Sequence, residues 1–515
     1  MTSAELATKA ETGLPDGAGR GAPRGWAIAL LAIIVVAAGW LRFADLGRLS
    51  FWADEFPHAI AARSLIHDGR PLLPSGREYR RAYLQTIAVA GSMRVFGENE
   101  RAARLPSSAV GLLTVIGVWL VARRRFGDVA ALAGAAALAV LPLHVAHSRS
   151  ARFYAAFALA YFAAAVLGTR ALESRSKRTT AAAVVAFGLA LHMQIEAATL
   201  LLPLICYAVY LRAVSPEHHA SLGRTAGLLA AIGAGAVLVI VVVPPLREGA
   251  AWLIDHLPGL RLKPGIHLDT LGKLFGVVSW WAWMPLAPAA IAGLRRAERA
   301  GVALALNLLV PAVALAVLFA PTTERGISSR YLFYLFPFLA TVVGIGAAQL
   351  LSWAARRDGA PQAIVAAVLA SAIIAGGPTV WKLPASAHPG KAIPRPNWDA
   401  ATTVVMTLGK RGDAIVSTSP LAPAWALGRC ADWIREAAAA ETFLEDGRDI
   451  YCRSEFISDD AKLSEYLQDH PRGWVIADPA QWNSVVDPAA RAHIERIATP
   501  VAVEDRTILV FRWGG

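Results

Sequence analysis

Apolar runs of about 15–22 residues, separated by short charged clusters, recur between residues 26 and 377. Each run approaches the length that an α-helix needs to cross a bilayer, and a helix satisfies its own backbone hydrogen bonds in lipid. The runs lie at about 26–40, 105–122, 129–143, 155–167, 180–193, 197–211, 225–244, 274–293, 301–320, 332–351 and 363–377. The pattern predicts a polytopic α-helical membrane protein with about 11 transmembrane helices within residues 26–377.

The positions of the basic clusters predict the orientation of these helices. Arginine and lysine collect before the first run and in every second connection thereafter, namely at 20–24, 123–125, 170–178, 212–224, 295–299 and 356–357. Cytoplasmic loops carry this excess of positive charge, so the N-terminus is expected to be cytoplasmic. Residues 1–25 are then a disordered cytoplasmic tail, and the first extracytoplasmic loop comprises residues 43–104. Residues 83–97 in that loop are apolar but short, which predicts a helix lying in the interface.

The chain changes character after the last apolar run. Short strand-like runs occur at Ala414–Ser417, Trp474–Ala477 and Ile508–Phe511. Helix-like stretches occur near 398–408, 461–468 and 488–497. Alternation of this kind predicts a small α/β domain over residues 378–515, placed outside the cytoplasm by the helix count. Two of the three cysteines, Cys430 and Cys452, lie in this part and could pair in an oxidising compartment.

Composition narrows the class of protein further. The 515 residues are 56% hydrophobic and only 17% charged, which is too little polar surface for a soluble protein of this length. The formal net charge of +12 could indicate nucleic-acid binding. Because most of the Lys and Arg residues lie in short loops between apolar runs, the charge indicates membrane topology instead. Membrane lipid is therefore an expected partner and nucleic acid is not.

Charged and aromatic residues also gather on the predicted outer face, near the ends of the spans. The residues are Asp54, Glu55, Glu78, Arg80, Arg81, Arg149, Arg152, Tyr154, His192, Glu196, Arg330 and Tyr331. Arginines there oppose the topology bias, and the guanidinium fork matches the oxygens of phosphate. A nearby carboxylate suits a general base or a metal ligand. These residues therefore predict a site for a phosphorylated ligand at one membrane face.

Several motifs of the chain resemble a known superfamily. FWADE, GREYRRAYL and VFGENERAARLPSSAVGLLTVIGVWLVARRRFG, with HSRSARFYAAFAL and SSRYLFYLFPFL further on, resemble the polyprenyl-phosphate-dependent glycosyltransferases of the GT-C fold. The most similar group is the PMT/ArnT-like (glycosyltransferase 39/83) superfamily. The similarity covers residues 26–350 approximately, is most specific at FGENERAARLPS, and is much weaker in the C-terminal part.

The resemblance implies an enzyme of the bacterial inner (plasma) membrane. It would move a sugar from a polyprenyl-phosphate donor to an extracytoplasmic acceptor, with inversion at the anomeric carbon. The DE pair of the family's first loop corresponds to Asp54 and Glu55, with Asp54 as general base or positioning acid. Glu78 matches the family's later glutamate, but Tyr79 and Arg80 replace the usual Lys and Pro, so Arg80 or Arg81 would supply the missing cation. The aminoarabinose and protein-mannose specificities do not carry over.

The expected site thus has catalytic acids and phosphate-binding side chains. The catalytic set is Asp54, Glu55 and Glu78, and the donor-binding set is Arg80, Arg81, Arg149, Arg152, Tyr154, Arg330 and Tyr331. Many relatives carry another acid where this chain has Arg152-Phe153-Tyr154, so the role of a second carboxylate stays unassigned. No cofactor is required. A divalent metal held by His192 and Glu196, one helical turn apart, is the alternative.

Simpler interpretations remain open for each feature. Asp54 could cap the helix that follows it, Glu78 could be only an ion-pair partner of Arg81, and Arg149 and Arg152 could contact lipid headgroups. The whole chain could be a transporter or flippase, although charge is almost absent from the span interiors, where transporters place it. It could also be an inactive membrane scaffold, and the acceptor could be a lipid, a glycan or a protein.

Overall fold

The structure is a computed structural model that describes residues 25–174, 176–214, 222–242, 247, 286–318, 329–355, 395–440, 443–503 and 507–514. Residues 1–24 of the predicted tail (1–25) lie outside these residues. So do the predicted span at about 363–377, most of the predicted span at 274–293, and much of the predicted outer loop at 245–273.

The described part of the chain is mostly helical. In chain order the α-helices are α1 Gly25–Phe43, α2 Phe56–Asp68, α3 Tyr83–Phe96, α4 Glu100–Val140, α5 Pro142–Ser148, α6 Tyr154–Ser174, α7 Lys177–Met193, α8 Leu201–Val214, α9 Leu222–Val242, α10 Ala287–Arg296, α11 Glu298–Leu318, α12 Phe336–Ala354, α13 Trp398–Leu408, α14 Leu421–Leu427, α15 Ala437–Ala440, α16 Asp460–Asp469, α17 Pro479–Val485 and α18 Pro488–Ile497. Two 3₁₀-helices lie at Ile195–Leu200 and Ser329–Leu335. The strands are β1 Ala414–Ser417, β2 Asp432–Ile434, β3 Leu444–Glu445, β4 Arg448–Asp449, β5 Phe456–Ile457, β6 Gly473–Ala477, β7 Thr499–Pro500 and β8 Leu509–Trp513.

Two compact units divide the chain. The first consists of residues 1–44, 107–149 and 153–383, and the second of residues 45–106, 150–152 and 384–515. Within the described residues, six helical segments are long and apolar enough to cross a membrane. They are Gly25–Phe43, Glu100–Val140, Tyr154–Ser174, Ile195–Val214, Glu298–Leu315 and Leu332–Ala354. The chain is therefore a multi-pass membrane protein, and the number of about 11 spans stays a prediction.

Helix α4 contains two of the predicted spans. At 41 residues it is about 60 Å long, about twice the thickness of a hydrocarbon core. Its helical geometry is broken at Gly127, whose φ of 86° suits a residue without a Cβ. Beside the break, Arg123 pairs with Asp128 at 2.7 Å. The cluster Arg123–Arg125, predicted to connect two spans, thus lies at a break between two helical pieces.

The second unit has its own core, to which the predicted first loop contributes. Helix α2 has Pro57 in its first turn, and its C-cap residue is Gly69, whose φ is 71°. Phe51 packs edge-on against both Phe56 and Trp425, with ring centroids 5.6 Å and 5.0 Å apart. These rings belong to a buried cluster that also contains residues of α3, α13, β1, β6 and β8. Loop and strands therefore share one hydrophobic core.

A six-stranded sheet forms the centre of residues 395–514. Its strand order is β5-β2-β1-β6-β8-β7, with parallel pairing through β5, β2, β1 and β6 and antiparallel pairing through β8 and β7. The three predicted strands and the three predicted helices here are confirmed, with ends shifted by at most two residues. Strands β2 to β5 and β7 were not predicted because runs of two or three residues give no alternation to detect.

Candidate active site

Glu55 is a buried carboxylate of the second unit that accepts several hydrogen bonds. Its side chain is 0% exposed. Arg104 donates to both carboxylate oxygens, from Nε to Oε1 at 2.9 Å and from Nη2 to Oε2 at 3.1 Å. Arg395 donates from Nη1 to Oε2 at 3.2 Å. The backbone N–H groups of Trp52 and Ala151 also donate to it, at 2.9 and 2.7 Å. Five donor atoms therefore surround one buried carboxylate.

These donors also decide the protonation state of Glu55. Burial alone would raise the pKa of the carboxyl group, but the charges of Arg104 and Arg395 and the hydrogen bonds from Arg104 and Trp52 outweigh it. The pKa of Glu55 is lowered to about 2. A carboxylate this acidic and this enclosed has little capacity to accept a substrate proton.

Arg104 and Arg395 were missed by the sequence analysis. Arg104 is 1% exposed and also donates to the carbonyl oxygens of Leu46, Leu49 and Ser50, at 3.0, 2.6 and 3.0 Å. It thereby ties α4 to the loop that precedes α2. Its position at the start of a long apolar run was a usable signal, because a guanidinium buried there needs a partner. No comparable signal existed for Arg395, 340 positions from Glu55 in the sequence.

Asp54, directly before this anchor, is in a different environment. Its side chain is 46% exposed, whereas the side chain of Arg152 beside it is 5% exposed. Arg152 Nη1 donates to the carbonyl oxygen of Asp54 at 2.6 Å, and its Nη2 lies 3.9 Å from Oδ2 of Asp54. The interpretation of Asp54 as the N-cap of α2 is wrong, since the N-cap residue is Glu55, whose side chain makes no capping hydrogen bond.

Further residues of the second unit interact with Asp54, with Arg152 or with each other beside them. Burial lowers the pKa of His58 well below its ordinary value, and the charges of Arg152 and Arg81 lower it further, so this imidazole is neutral. Its Nδ1 lies 3.0 Å from Oγ1 of Thr86, and its ring meets that of Tyr79 edge-on at 4.9 Å. Tyr451, from the segment after β4, interacts electrostatically with Tyr79, Asp54, Arg81 and Arg152.

Glu78 forms an ion-pair cluster with two arginines of its own loop. Arg70 Nε lies 2.8 Å from Oε1, and Arg80 contacts Oε2 through Nε at 2.9 Å and Nη2 at 2.6 Å. Hydrogen bonds from Arg80 and Arg70 lower the pKa of Glu78. The ion-pair alternative named Arg81 as the partner. In the structure Glu78 pairs with Arg80 and Arg70. Glu78 and Arg80 are two positions apart in an extended segment, so their side chains point to the same side of it.

The other predicted residues belong to the first unit. Arg149 is buried, and its Nη1 donates to the carbonyl oxygens of Leu41 and Ala44, at 3.0 and 2.7 Å. Tyr154 is buried at the start of α6, with its ring 5.0 Å from that of His147. Arg330 and Tyr331 lie in the 3₁₀-helix Ser329–Leu335, and their side chains are outside the described part of the structure.

His192 and Glu196, the alternative metal ligands, lie at the junction of two helices of the first unit. His192 is in the last turn of α7, and Glu196 is in the first turn of the following 3₁₀-helix. Gln194 donates to Glu196 at 3.0 Å. Among the described residues, no group of three or more His, Cys, Asp or Glu side chains could hold a metal ion. The metal alternative thus stays a prediction.

The arrangement in the second unit supports acid–base chemistry beside an anion. Asp54 offers an accessible carboxylate that can accept a proton, and the neighbouring guanidinium of Arg152 favours negative charge there. Glu55, Arg104 and Arg395 fix the backbone on which Asp54 stands. The two adjacent acids of the DE pair therefore have different surroundings, one exposed and one enclosed.

Comparisons with known proteins bear on this geometry. The model of the family described as dolichyl-phosphate-mannose-protein mannosyltransferase matches residues 82–245. Among curated proteins, none matches the sequence.

Two solved structures share the fold over most of the chain. The crystal structure of ArnT from Cupriavidus metallidurans bound to undecaprenyl phosphate has 16% identity and a TM-score of 0.63, covering 95% of this chain and 98% of its own. The archaeal oligosaccharyltransferase AglB from Archaeoglobus fulgidus, in complex with an inhibitory peptide and a dolichol-phosphate, has 11% identity and a TM-score of 0.54, covering 88% of this chain and 69% of its own.

These matches confirm the resemblance predicted from the sequence motifs. The matched family and both structures are glycosyltransferases of the GT-C type, the predicted enzyme class. At these identities the two structures establish the fold of the chain, a GT-C fold.

Proposed function

We propose that this protein transfers a sugar from a polyprenyl-phosphate donor to an acceptor outside the cytoplasm, with inversion at the anomeric carbon. One observation carries the proposal. Asp54 presents an exposed carboxylate beside the buried guanidinium of Arg152, on a loop segment that the buried Glu55 locks in place. Such a carboxylate can take the proton of an acceptor hydroxyl while cations stabilise the leaving phosphate.

The three predicted catalytic acids receive different roles in this proposal. Asp54 is the general base or positioning acid. Glu55 holds the loop, because its oxygens are engaged by Arg104, Arg395 and two backbone N–H groups. Glu78 positions Arg80, with which it pairs. Only Asp54 would then touch the reacting hydroxyl.

Arginines would bind the phosphate of the donor. The charges of Arg81 and Arg152 act on His58 and Tyr451, and Arg80 is adjacent to Arg81 in sequence. Their forked donors suit a phosphate that must stay at the interface while its lipid chain remains in the bilayer. Arg149, Tyr154, Arg330 and Tyr331 belong to the first unit and stay predicted donor-binding residues. No cofactor is part of the proposed reaction, and the loss of activity on treatment with EDTA would revive the metal hypothesis.

The proposed location is the bacterial inner membrane, with a cytoplasmic N-terminus. Residues 395–514, which contain the six-stranded sheet and are called the sheet-containing segment below, would lie outside the cytoplasm. The basic clusters between apolar runs support this orientation. The disulfide between Cys430 and Cys452 supports it independently, because disulfides persist in oxidising compartments. The acceptor class is left to experiment.

The direct test uses the full chain in nanodiscs with labelled polyprenyl-phosphate sugars. We expect loss of the labelled donor, release of polyprenyl phosphate and a labelled product when lipid, glycan and protein acceptors are offered in turn. Nuclear magnetic resonance of the product should give the anomeric configuration opposite to that of the donor. Movement of intact donor across vesicles without cleavage would overturn the proposal and favour a flippase.

Replacing Arg152 by lysine should weaken the support of Asp54 while keeping the charge. Lysine has one ammonium group and cannot reproduce the guanidinium contact to both the carbonyl and the carboxylate of Asp54. We expect kcat to fall about tenfold, equivalent to about 1.4 kcal/mol. Arg101→Lys, at an exposed position of the same unit, is the matched control. Equal kcat for both variants and wild type would remove Arg152 from the site.

Glu78→Gln should separate a positioning role from a catalytic one. The glutamine keeps the shape but loses the charge that holds Arg70 and Arg80. Because Arg70 is exposed and Arg80 is half-exposed, we expect a stability loss below about 1 kcal/mol. The KM for donor should rise about threefold to tenfold with kcat nearly unchanged. Glu445→Gln, which breaks the exposed pair with Arg77, is the control. A hundredfold fall in kcat would instead assign Glu78 to the chemistry.

A further inference from the structure

A turn that follows β4 reaches the loop that carries Asp54. The N–H of Ser75 donates to the carbonyl oxygen of Tyr451 at 2.9 Å. The ring of Tyr451 packs against a small buried cluster of that loop, formed by Ala61, Leu73 and Tyr79. The backbone and the side chain of Tyr451 therefore both contact a loop about 370 positions earlier in the sequence.

The same turn is fixed at its other end by a covalent bond. Cys452 pairs with Cys430, with their Cα atoms 6.0 Å apart, which confirms the predicted pairing. The carboxylate of Asp449, 1% exposed, accepts the N–H groups of Tyr451 at 3.2 Å and Cys452 at 2.7 Å. The disulfide at Cys452 and the hydrogen bonds to Asp449 together restrict the backbone of Tyr451.

Tyr451 lies in the electrostatic environment of the proposed site. Burial raises the pKa of its phenol, Tyr79 and Asp54 raise it further, and Arg81 and Arg152 oppose the change. The phenol therefore stays neutral at physiological pH. A neutral ring is an apolar neighbour, and an apolar neighbour strengthens the interaction between nearby charges.

We propose that Tyr451 is a positioning residue for sugar transfer, and that the disulfide between Cys430 and Cys452 holds its ring beside Asp54, Arg81 and Arg152. The inference rests on the function proposed above and adds to it a residue from the sheet-containing segment. Transfer then depends on the oxidised state of the disulfide. Reduction by dithiothreitol transfers two electrons and two protons to the S–S bond, gives two thiols, and closes the reductant into its cyclic disulfide.

The experiment compares four proteins in a Cys206→Ser background, which removes the remaining cysteine. They are the background protein itself, Tyr451→Phe, Tyr451→Ala and the double variant Cys430→Ser with Cys452→Ser. We expect kcat to fall about tenfold for Tyr451→Ala and for the double variant, with KM for donor within twofold. Tyr451→Phe retains the ring and should stay within threefold of the background protein, which would show that the protein tolerates substitution here.

Reduction supplies a readout that a general loss of stability would not give. Dithiothreitol should lower kcat of the background protein about tenfold, with recovery on reoxidation, but should not change kcat of Tyr451→Ala. An equal loss in Tyr451→Ala on reduction would overturn the proposal, since the disulfide would then act elsewhere. Full activity of the oxidised Tyr451→Ala variant would also overturn the proposal. Absence of any transfer by the oxidised background protein would instead contradict the proposed function itself.

Discussion

Replacing Asp54 by asparagine is expected to lower kcat by about 10²–10⁴-fold while the protein remains folded. Asparagine has nearly the same shape, but its amide cannot accept a proton from an acceptor hydroxyl. Because the Asp54 side chain is 46% exposed, the substitution leaves little buried polar surface unsatisfied. The measurement is single-turnover transfer from labelled donor by purified protein, with the melting temperature recorded on the same preparation.

Asp68→Asn is the matched control for this prediction. Asp68 lies at the end of α2, in the same loop, and accepts a hydrogen bond only from the half-buried Ser64 among the contacts described. We expect its kcat to match wild type within about twofold. If Asp54→Asn retained wild-type kcat, Asp54 would not be the base, and an inactive scaffold would become the better hypothesis.

Replacing Glu55 by glutamine should cause a large loss of stability. The change leaves Arg104 and Arg395 buried without the carboxylate that compensates their charge. Breaking a buried ion pair from one side costs about 3–5 kcal/mol, because the remaining cation stays desolvated. We expect the melting temperature in detergent or nanodiscs to fall clearly, and activity to fall with the folded fraction. Glu465→Gln, which removes an exposed pair with Lys462, should leave the melting temperature essentially unchanged.

Acid should reproduce the effect of this substitution in the wild-type protein. The pKa of Glu55 is lowered from 4.5 to about 2, so the folded state binds this proton less tightly than the unfolded state does. The stabilisation is therefore complete above pH of about 4.5 and is lost as the pH falls toward 2, amounting to about 3 kcal/mol. Glu55→Gln should lack this component of the pH dependence. Parallel stability curves for both proteins between pH 5 and 2 would contradict the assigned ion pairs.

Much of the fold was predictable from local sequence. The apolar run at 26–40 became α1, and the strand-like run at Ala414–Ser417 became β1, because hydrophobic periodicity is a local signal. The helix at 83–97 was predicted from a short apolar run, and α3 confirms a helix there. The shortest strands gave no such signal, since their pairing partners alone make them strands.

The candidate site was predictable as a set of residues but not as a set of roles. The sequence indicated the DE pair, the arginines of the first loop and the pairing of Cys430 with Cys452. It could not indicate that Glu55 is enclosed by Arg104 and Arg395, or that Tyr451 reaches the same loop. The side chains of adjacent residues such as Asp54 and Glu55 can point in different directions in a non-helical segment. The burial of one side chain therefore does not predict the burial of the other.

The sequence by itself determined that this chain crosses a membrane repeatedly, because the length and apolarity of its runs leave helices as the economical structure in lipid. It also determined the family resemblance, carried by contiguous motifs. Tertiary structure decided which carboxylate is accessible and which is locked. That decision depends on contacts across 49 and 340 positions of sequence, and only the folded chain brings such distant charges within hydrogen-bonding distance.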